Sequence, residues 1–238
     1  MGQGKSRLDE QTIAMRAARE FEDGMVVNLG GGIPTLACNY VPEGREVLFH
    51  AENGALGYGG IATAETADWD LFNASCQPVT PRPGMSFFQH DESFALIRGG
   101  HVDISVLGAL EVSEKGDLAN WVAGDLSSFD GDLVDWIRLD RYPPAVGGAM
   151  DLTTGARKVI VTMMHTTRNG QPKIVKECKY ELTGRRCVSL IITDLAVIEV
   201  TPQGLVLREI APGWIPREVQ AMTEPRLIIA QNLKEISL

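Results

Sequence analysis

The chain has 238 residues and a formal net charge of −9 at pH 7, with 44% hydrophobic and 22% charged residues. This composition is ordinary for a globular protein, and the length suits one large domain or two small ones. No run of Lys and Arg forms a basic stripe and no apolar stretch approaches the length of a membrane span, so neither nucleic acid nor a membrane is an expected partner.

A helix is predicted near the N-terminus. Ser6 precedes apolar residues at mixed three-to-four spacing, and Asp9 follows it by three positions, as in a capping box. Gly24 is expected to end this helix.

The next segment predicts a strand–helix–strand unit. Residues 25–29 are a short apolar run, and Gly30-Gly31-Gly32 is typical of a tight turn. Pro34 stands where a helix can begin, because its missing N–H costs nothing there. Residues 47–49 are a second apolar run, so the order is that of a βαβ unit with parallel strands.

Later segments repeat this rhythm. Strands are predicted at 86–88, 102–107, 158–163, 190–200 and 205–210, and helices at 91–98 and 215–222. The predicted fold class is therefore α/β: an open, mostly parallel sheet with flanking helices and antiparallel additions toward the C-terminus, in a single domain over residues 1–238. Residues 60–85 and 122–146 are predicted to be long loops, which often serve as lids or interface arms.

The cysteines indicate a reducing compartment. Cys38, Cys76, Cys178 and Cys187 are widely spaced and form no C-x-x-C pair, so neither a zinc site nor a disulfide framework is predicted. The polar start of the chain lacks the apolar core of a signal peptide. We therefore expect a cytoplasmic location, and no metal, because the aspartates between 125 and 140 lack EF-hand spacing.

The glycine turn is compatible with a dinucleotide-binding fingerprint. Gly30-x-Gly32 lies between a strand and a helix, and Glu52 follows Gly32 by 20 residues, where a ribose-binding carboxylate would stand. Thr35 in the third glycine position and Pro34 in the turn disfavour this interpretation. The other interpretation is a plain tight turn between a strand and a helix.

Glu52 directly follows a predicted strand, at the edge where open α/β sheets bind ligands. Asn53-Gly54 favours a sharp turn that can lift the preceding side chain into a cleft. Gly57 and Gly59 leave room for a ligand or another backbone to approach. Taken alone, Glu52 is also compatible with a solvated loop carboxylate.

Six short blocks in fixed order identify a family. They are Asn28-Leu29-Gly30-x-Gly32-Ile33-Pro34-Thr35, Glu52-Asn53-Gly54 with Leu56-Gly57, residues 94–103, residues 116–121, residues 147–152 and Leu182-Thr183-Gly184. In this order they resemble the β subunit of the class I CoA-transferases, the group of the succinyl-CoA:3-oxoacid and acetoacetate enzymes. The resemblance covers about residues 8–215.

This resemblance implies a 3-oxoacid-type CoA-transferase subunit of ketone-body or short-chain fatty-acid metabolism. Glu52 would be the nucleophile that carries CoA as a glutamyl thioester, and Asn28 a donor to the oxyanion. The family glycines near the thioester and the CoA arm correspond to Gly147 and Gly148. Gly57 and Gly59 would shape the same cleft, and CoA and acyl-CoA would be substrates, with no cofactor.

The resemblance also implies a partner. In the family a companion α subunit supplies much of the active-site wall, so an α2β2 or larger assembly acting on acyl-CoA and short-chain carboxylic acids is expected. Residues 122–146 form a longer link than the family pattern, with Tyr142-Pro143-Pro144-Ala145-Val146 replacing a basic, glycine-rich approach. This departure leaves the acyl acceptor open.

Two other functions stay open at this point. In an acyl-CoA hydrolase, water would intercept the glutamyl anhydride or thioester. A module on the same scaffold could instead sense a small acid without catalysis. The intact Glu52-Asn53-Gly54 block disfavours the sensor, because a sensor has no need of a nucleophile.

Overall fold

A computed structural model describes residues 5–121 and 146–237 of the chain. Its strands are β1 (Val26–Leu29), β2 (Leu48–Ala51), β3 (Ala55–Tyr58), β4 (Ser86–Phe87), β5 (Ile104–Leu107), β6 (Glu111–Ser113), β7 (Leu118–Ala119), β8 (Lys158–Met163), β9 (Ile174–Val175), β10 (Val188–Thr193), β11 (Ala196–Thr201), β12 (Gly204–Ile210) and β13 (Leu227–Glu235). Its helices are α1 (Glu10–Ala18), α2 (Ile33–Leu36), α3 (His90–Arg98), α4 (Ala149–Gly155) and α5 (Pro216–Ala221), with a 3₁₀ turn (Ala37–Tyr40) directly after α2.

A ten-stranded sheet has the strand order β13-β12-β11-β10-β8-β5-β1-β2-β3-β4. The central strands β10, β8, β5, β1 and β2 pair in parallel. On one side β3 and β4 continue antiparallel, and on the other β11 and β12 do so before β13 pairs parallel to β12. The α/β fold class, with a mostly parallel sheet and antiparallel strands toward the C-terminus, is confirmed.

The central strands bury both faces. On β8, Ile160 belongs to the apolar cluster that contains α1, whereas Val159 and Val161 belong to the cluster that contains Ile97 of α3. Alternate residues of a strand point to opposite faces, so the almost fully buried strands β5, β8 and β10 supply apolar side chains to both cores.

The N-terminal helix differs from the prediction at both ends. Asp9, rather than Ser6, is the N-cap, and its carboxylate accepts from the Thr12 N–H at 2.8 Å. The helix ends at Ala18 rather than near Gly24, because residues 22–25 form a separate turn. A side chain that directly satisfies an unpaired first-turn N–H decides the helix start.

The predicted strand at 190–200 is two strands. Thr193 turns the chain, because its hydroxyl accepts from the N–H groups of Leu195 and Ala196, and β10 and β11 form an antiparallel hairpin.

Residues 60–85 carry only isolated bridges, as expected for a loop. The loop predicted at 122–146 lies, except for Val146, outside the described residues, and the single domain over 1–238 stays a prediction. None of the helices in the described ranges has both the length and the apolar character required to cross a bilayer.

A buried ion pair joins α1 to β12. Arg16 donates to both carboxylate oxygens of Glu209, at 2.7 and 3.0 Å, and also to Glu20 at 2.9 Å. Burial acts to raise the pKa of Glu209, but the hydrogen bonds and charge of Arg16 outweigh it and hold the pKa below its usual value.

We expect Arg16→Ala to lower the free energy of unfolding by about 3 kcal/mol, because Glu209 would stay buried with both Arg16 hydrogen bonds lost and only the exposed Lys234 amine, at 3.4 Å, as a counter-ion. Urea denaturation at neutral pH measures this loss. Arg208→Ala is the control, since the Arg208–Glu199 pair is exposed and should cost less than about 1 kcal/mol. Equal losses for the two variants would contradict the assignment.

Candidate active site

A cavity of about 390 Å³ opens at the carboxyl ends of β1, β2 and β5. The chain passes from β1 to β2 on one side and later to β5 and β8 on the other, so the strand order reverses between β1 and β5. Loops that leave two such strands diverge and leave a crevice, which is the usual ligand site of open α/β sheets. The cavity is lined by Gly30, Gly31, Glu52, Ala74, Ser75, Leu107, Gly108, Ala109, Leu110, Asn120, Trp121, Val146, Gly147, Gly148, Ala149 and Leu152.

Glu52 is half-buried in this cavity and is held by Asn28. Asn28 on β1 is the register partner of His50 on β2, and Glu52 follows His50 by two positions. The Asn28 Nδ2 group donates to Glu52 Oε2 at 3.0 Å. The structure therefore brings together the two residues predicted to be catalytic, with one carboxylate oxygen fixed by a fully buried amide.

Asn28 is in turn surrounded by groups of His50. Its Nδ2 lies 3.2 Å from the His50 carbonyl oxygen and 3.1 Å from His50 Nδ1. On the other side of the ring, His50 Nε2 lies 2.9 Å from Ser93 Oγ, and the Ser93 hydroxyl reaches the Ala51 carbonyl at 3.4 Å. All these groups are buried, so they form a polar chain behind Glu52.

Gly148 lies against Glu52. A Cβ added at Gly148 would lie 3.4 Å from Glu52 Cγ and 3.1 Å from Cζ of Phe94. Gly148 is also the N-cap of α4, and Gly147 precedes it in a turn that lines the cavity. The structure thus places both predicted glycines at the site, and a side chain at Gly148 would crowd the Phe94 ring and contact the Glu52 side chain.

Gly57 and Gly59 lie away from the cavity. A Cβ at Gly57 would meet the Cα of Met85 at 3.7 Å, and one at Gly59 would overlap the Thr80 hydroxyl. Both glycines let the end of the 60–85 loop pass closely over β3. The structure therefore does not bring them together with Glu52.

The turn after Glu52 requires glycine. Gly54 has φ +116°, and a Cβ there would overlap the carbonyl oxygen of Phe88. The Gly54 carbonyl accepts from the Phe88 N–H at 3.1 Å, which anchors the segment leading into α3. The Asn53-Gly54 turn thus brings Ser93, in the first turn of α3, close to His50.

Two other predicted blocks meet at the cavity wall. Leu118 exchanges backbone hydrogen bonds with Thr183 and Gly184, and the Thr183 hydroxyl donates to Asn120 Oδ1 at 2.6 Å. This holds Asn120 and Trp121 in the lining. The Leu182-Thr183-Gly184 block therefore supports the residue 116–121 block.

The glycine turn after β1 has a local structural explanation. The buried Thr35 hydroxyl donates to the Gly30 carbonyl at 2.7 Å, which closes the turn. The helix that follows has only four residues, Ile33–Leu36. The hydrogen bond from Thr35 to Gly30 accounts for threonine at the position where a dinucleotide fingerprint has glycine.

Among residues 5–121 and 146–237, no group of three or more His, Cys, Asp or Glu could hold a metal ion.

The sequence prediction missed several residues of the site. His50 and Ser93 were not identified, nor were Ala74 and Ser75 of the 60–85 loop. His50 had one usable signal, since residues two apart on a strand share a face and His50 precedes Glu52 by two. Ser93 had none, because its contact with His50 depends on how α3 packs.

Comparison with known proteins finds a matching family model and similar chains. The family model described as Coenzyme A transferase matches residues 10–221. The chain is 48% identical over 222 residues to one subunit of the 3-oxoadipate CoA-transferase of Pseudomonas putida KT2440, and the match covers 93% of this chain and 97% of that one. It is 44% identical over 224 residues to the β subunit of the acetate CoA-transferase of Escherichia coli K12, covering 94% and 95%.

A solved structure is similar in fold. The acyl-CoA transferase apoenzyme of Escherichia coli O157:H7 matches with a TM-score of 0.70 and 20% identity. The match covers 100% of this chain and 45% of that chain. At this level of identity the match shows the fold alone.

Two buried histidines make stability depend on pH. Burial lowers the pKa of His50 to about 4, and burial does the same for His165, whose ring bonds to the Thr193 and Thr223 hydroxyls. Folding favours the neutral rings, so their contribution is complete above the unfolded pKa of about 6.5 and is lost as the pH falls toward 4.

We expect the stability advantage of the wild type over His165→Asn to shrink as the pH is lowered from 7 to 4.5. Urea denaturation across this range measures it. The exposed His90→Asn gives the effect of removing a surface imidazole. An advantage that stays constant or grows on acidification would contradict the neutral, buried state of His165.

Proposed function

The chain belongs to the coenzyme A transferase family, and from this membership we propose that it is the catalytic β subunit of a 3-oxoacid-type CoA-transferase. Glu52 would carry CoA between an acyl-CoA donor and a carboxylic acid as a glutamyl thioester. The observation that carries the proposal is the half-buried Glu52 carboxylate in the cavity at the ends of β1, β2 and β5, with one oxygen held by the buried Asn28 amide.

The first half-reaction forms the thioester in two steps. Glu52 Oε1 attacks the acyl-CoA carbonyl, which forms a mixed anhydride and releases CoA thiolate. The thiolate then attacks the Glu52 carbonyl, which forms glutamyl-CoA and releases the donor acid as a carboxylate. Neither step needs an added proton or water, because each leaving group departs as an anion.

The second half-reaction reverses these steps with another acid. The acceptor carboxylate attacks the glutamyl thioester and expels CoA thiolate, giving a new anhydride. The thiolate attacks the acceptor's acyl carbonyl, so acceptor acyl-CoA leaves and the Glu52 carboxylate is restored. A carboxylate nucleophile suits this exchange because substrate and intermediate are the same chemical types, and no cofactor is needed.

Asn28 has a defined role in this scheme. It holds Oε2, so Oε1 is the oxygen free to attack, and Oε2 remains as the glutamyl carbonyl oxygen. When thiolate or acceptor attacks that carbonyl, negative charge develops on Oε2, where the Asn28 N–H already points. One such donor contributes about 3 kcal/mol to transition-state stability.

The carboxylic acid is proposed only as a class. The two relatives are named for 3-oxoadipate and for acetate, so the acyl chain varies among similar chains. We propose short-chain carboxylic acids, with 3-oxoacids first, and Ala74 and Ser75 as the described loop residues that face the acyl group across the cavity.

All four cysteines are free thiols, which fits the proposed cytoplasmic location.

A companion α subunit is proposed to complete the site. Both relatives are named as single subunits of their enzymes, and the similar solved chain is about twice as long as this one. Three large aromatic side chains, together called the aromatic rim, are exposed to 78%, 47% and 64%: Trp69, Phe72 and Phe87. The Phe72 carbonyl accepts from Asn53, the neighbour of Glu52, and Phe87 pairs with Ala55 at the start of β3. We propose that the α subunit covers these side chains in an α2β2 or larger assembly.

We expect the complex of this chain with its α subunit, incubated with acyl-CoA, to gain the mass of one CoA less one water on a peptide containing Glu52. Glu52→Ala should lack the adduct and lose at least about 10⁴-fold in kcat. Glu65→Ala, in the exposed loop, is the matched control and should keep both. Intact mass spectrometry and peptide mapping measure the adduct.

The outcomes separate the candidate functions. An adduct on a cysteine, or an active Glu52→Ala variant, would overturn the mechanism. Acyl-CoA consumption at the same rate with and without acceptor acid, with no acceptor-CoA formed, would make the enzyme a hydrolase. Binding of a small acid with no turnover of any acyl-CoA would favour the sensor.

We expect Phe87→Asp to weaken co-purification with the α subunit at least about tenfold, since a charge would be desolvated in the aromatic rim. Ile228→Asp is the matched control, because Ile228 is 42% exposed on β13, at the opposite edge of the sheet. Size-exclusion chromatography of the co-expressed chains measures the complex. Equal association of both variants would place the interface elsewhere.

A further inference from the structure

The hydrogen bonds of the Asn28 amide do not by themselves determine which way its nitrogen and oxygen are oriented. Its Nδ2 group has two hydrogens and three acceptors within reach: Glu52 Oε2, the His50 carbonyl and His50 Nδ1. Its Oδ1 is buried and has no donor among the described residues. A buried acceptor without a partner costs about 1–3 kcal/mol, so the amide gains by rotating toward any donor that appears nearby.

The tautomer of His50 determines the orientation of the Asn28 amide. With the proton on Nε2, the ring donates to Ser93 Oγ, the Ser93 hydroxyl donates to the Ala51 carbonyl, and Nδ1 is left as an acceptor for Asn28. With the proton on Nδ1, the ring would present a donor to Asn28. The amide would then rotate, and its oxygen would face the Glu52 carboxylate.

We propose that His50, fixed in its Nε2–H tautomer by Ser93, is a positioning residue that keeps the Asn28 N–H aimed at Glu52. The inference rests on the proposed function, because it assigns the residues that orient Asn28, the oxyanion donor of that reaction. Neither His50 nor Ser93 lines the cavity, so both act through Asn28.

The surroundings of His50 support a fixed, neutral ring. The ring is fully buried and stacks on Phe88 at 6.2 Å with an angle of 15° between the planes. Burial lowers its pKa, so the ring stays uncharged where the carboxylate chemistry operates. Ser93 lies on α3, and the next residue of that helix, Phe94, packs against Gly148. The same helix therefore supports His50 on one side of Glu52 and Gly148 on the other.

Substitutions at His50 separate positioning from packing. His50→Asn keeps an acceptor oxygen close to the Nδ1 position, so glutamyl-CoA formation should stay within about threefold of the wild type. His50→Leu keeps an apolar body without an acceptor, and the rate should fall about 100-fold, as expected for a misplaced catalytic group. Ser93→Ala should lose about tenfold, because the tautomer is no longer imposed.

The experiment uses the complete complex and follows single-turnover adduct formation together with kcat and KM. A positioning role lowers kcat and the adduct rate while KM for acyl-CoA stays within about twofold, since the cavity lining is unchanged. His165→Leu is the control for burial: it removes an equally buried imidazole that bonds to Thr193 and Thr223 and does not line the cavity. It should lower the unfolding midpoint without changing the adduct rate.

Each result decides the inference. A wild type that forms no adduct overturns the proposed function and this inference with it. A normal wild type with an unimpaired His50→Leu variant overturns only the role of His50. A His50→Asn variant as slow as His50→Leu overturns it too, because ring packing rather than the Nδ1 acceptor would then matter.

Discussion

The parallel register between β1 and β2 is the constraint on which the site depends. It pairs Asn28 with His50, and Glu52, in the turn directly after β2, follows His50 by two residues, so that its carboxylate reaches the Asn28 amide. A shift of one residue in this register would move Glu52 away from Asn28 and turn the His50 side chain to the other face. The register is fixed by burial on both faces of the central strands, so the two apolar cores also hold Asn28 beside Glu52.

Much of this arrangement could be predicted from the sequence because its signals are local. Apolar runs bounded by glycine and proline predicted the central strands, and Glu52 followed a strand end. The partners Asn28, Gly147 and Gly148 came from the family resemblance, and the structure brings all three to the cavity. Gly57 and Gly59 were grouped with them, but they serve the close passage of the loop over β3.

The rest depends on tertiary packing. β13 was missed because it is an edge strand, where only Leu227 and Ala230 of its nine residues are buried and alternation is weak. β3 was missed because Gly57 interrupts its short pattern. The contact between His50 and Ser93 joins positions 43 apart and exists only because the Asn53-Gly54 turn directs α3 back onto the strands.

The 60–85 loop contributes to the cavity from outside the sheet. Asn73 Oδ1 accepts from the N–H groups of Ser75 and Gln77, which shapes the tip that lines the cavity, and the loop is otherwise tied down by bridges such as that between Ile61 and Val79. Under the proposed function, mutations in this tip would remodel the acyl pocket without disturbing strand register or Glu52. A change of substrate would then require no change in the elements that hold Glu52, because the residues that select the acyl chain and those that hold the carboxylate lie on separate parts of the chain.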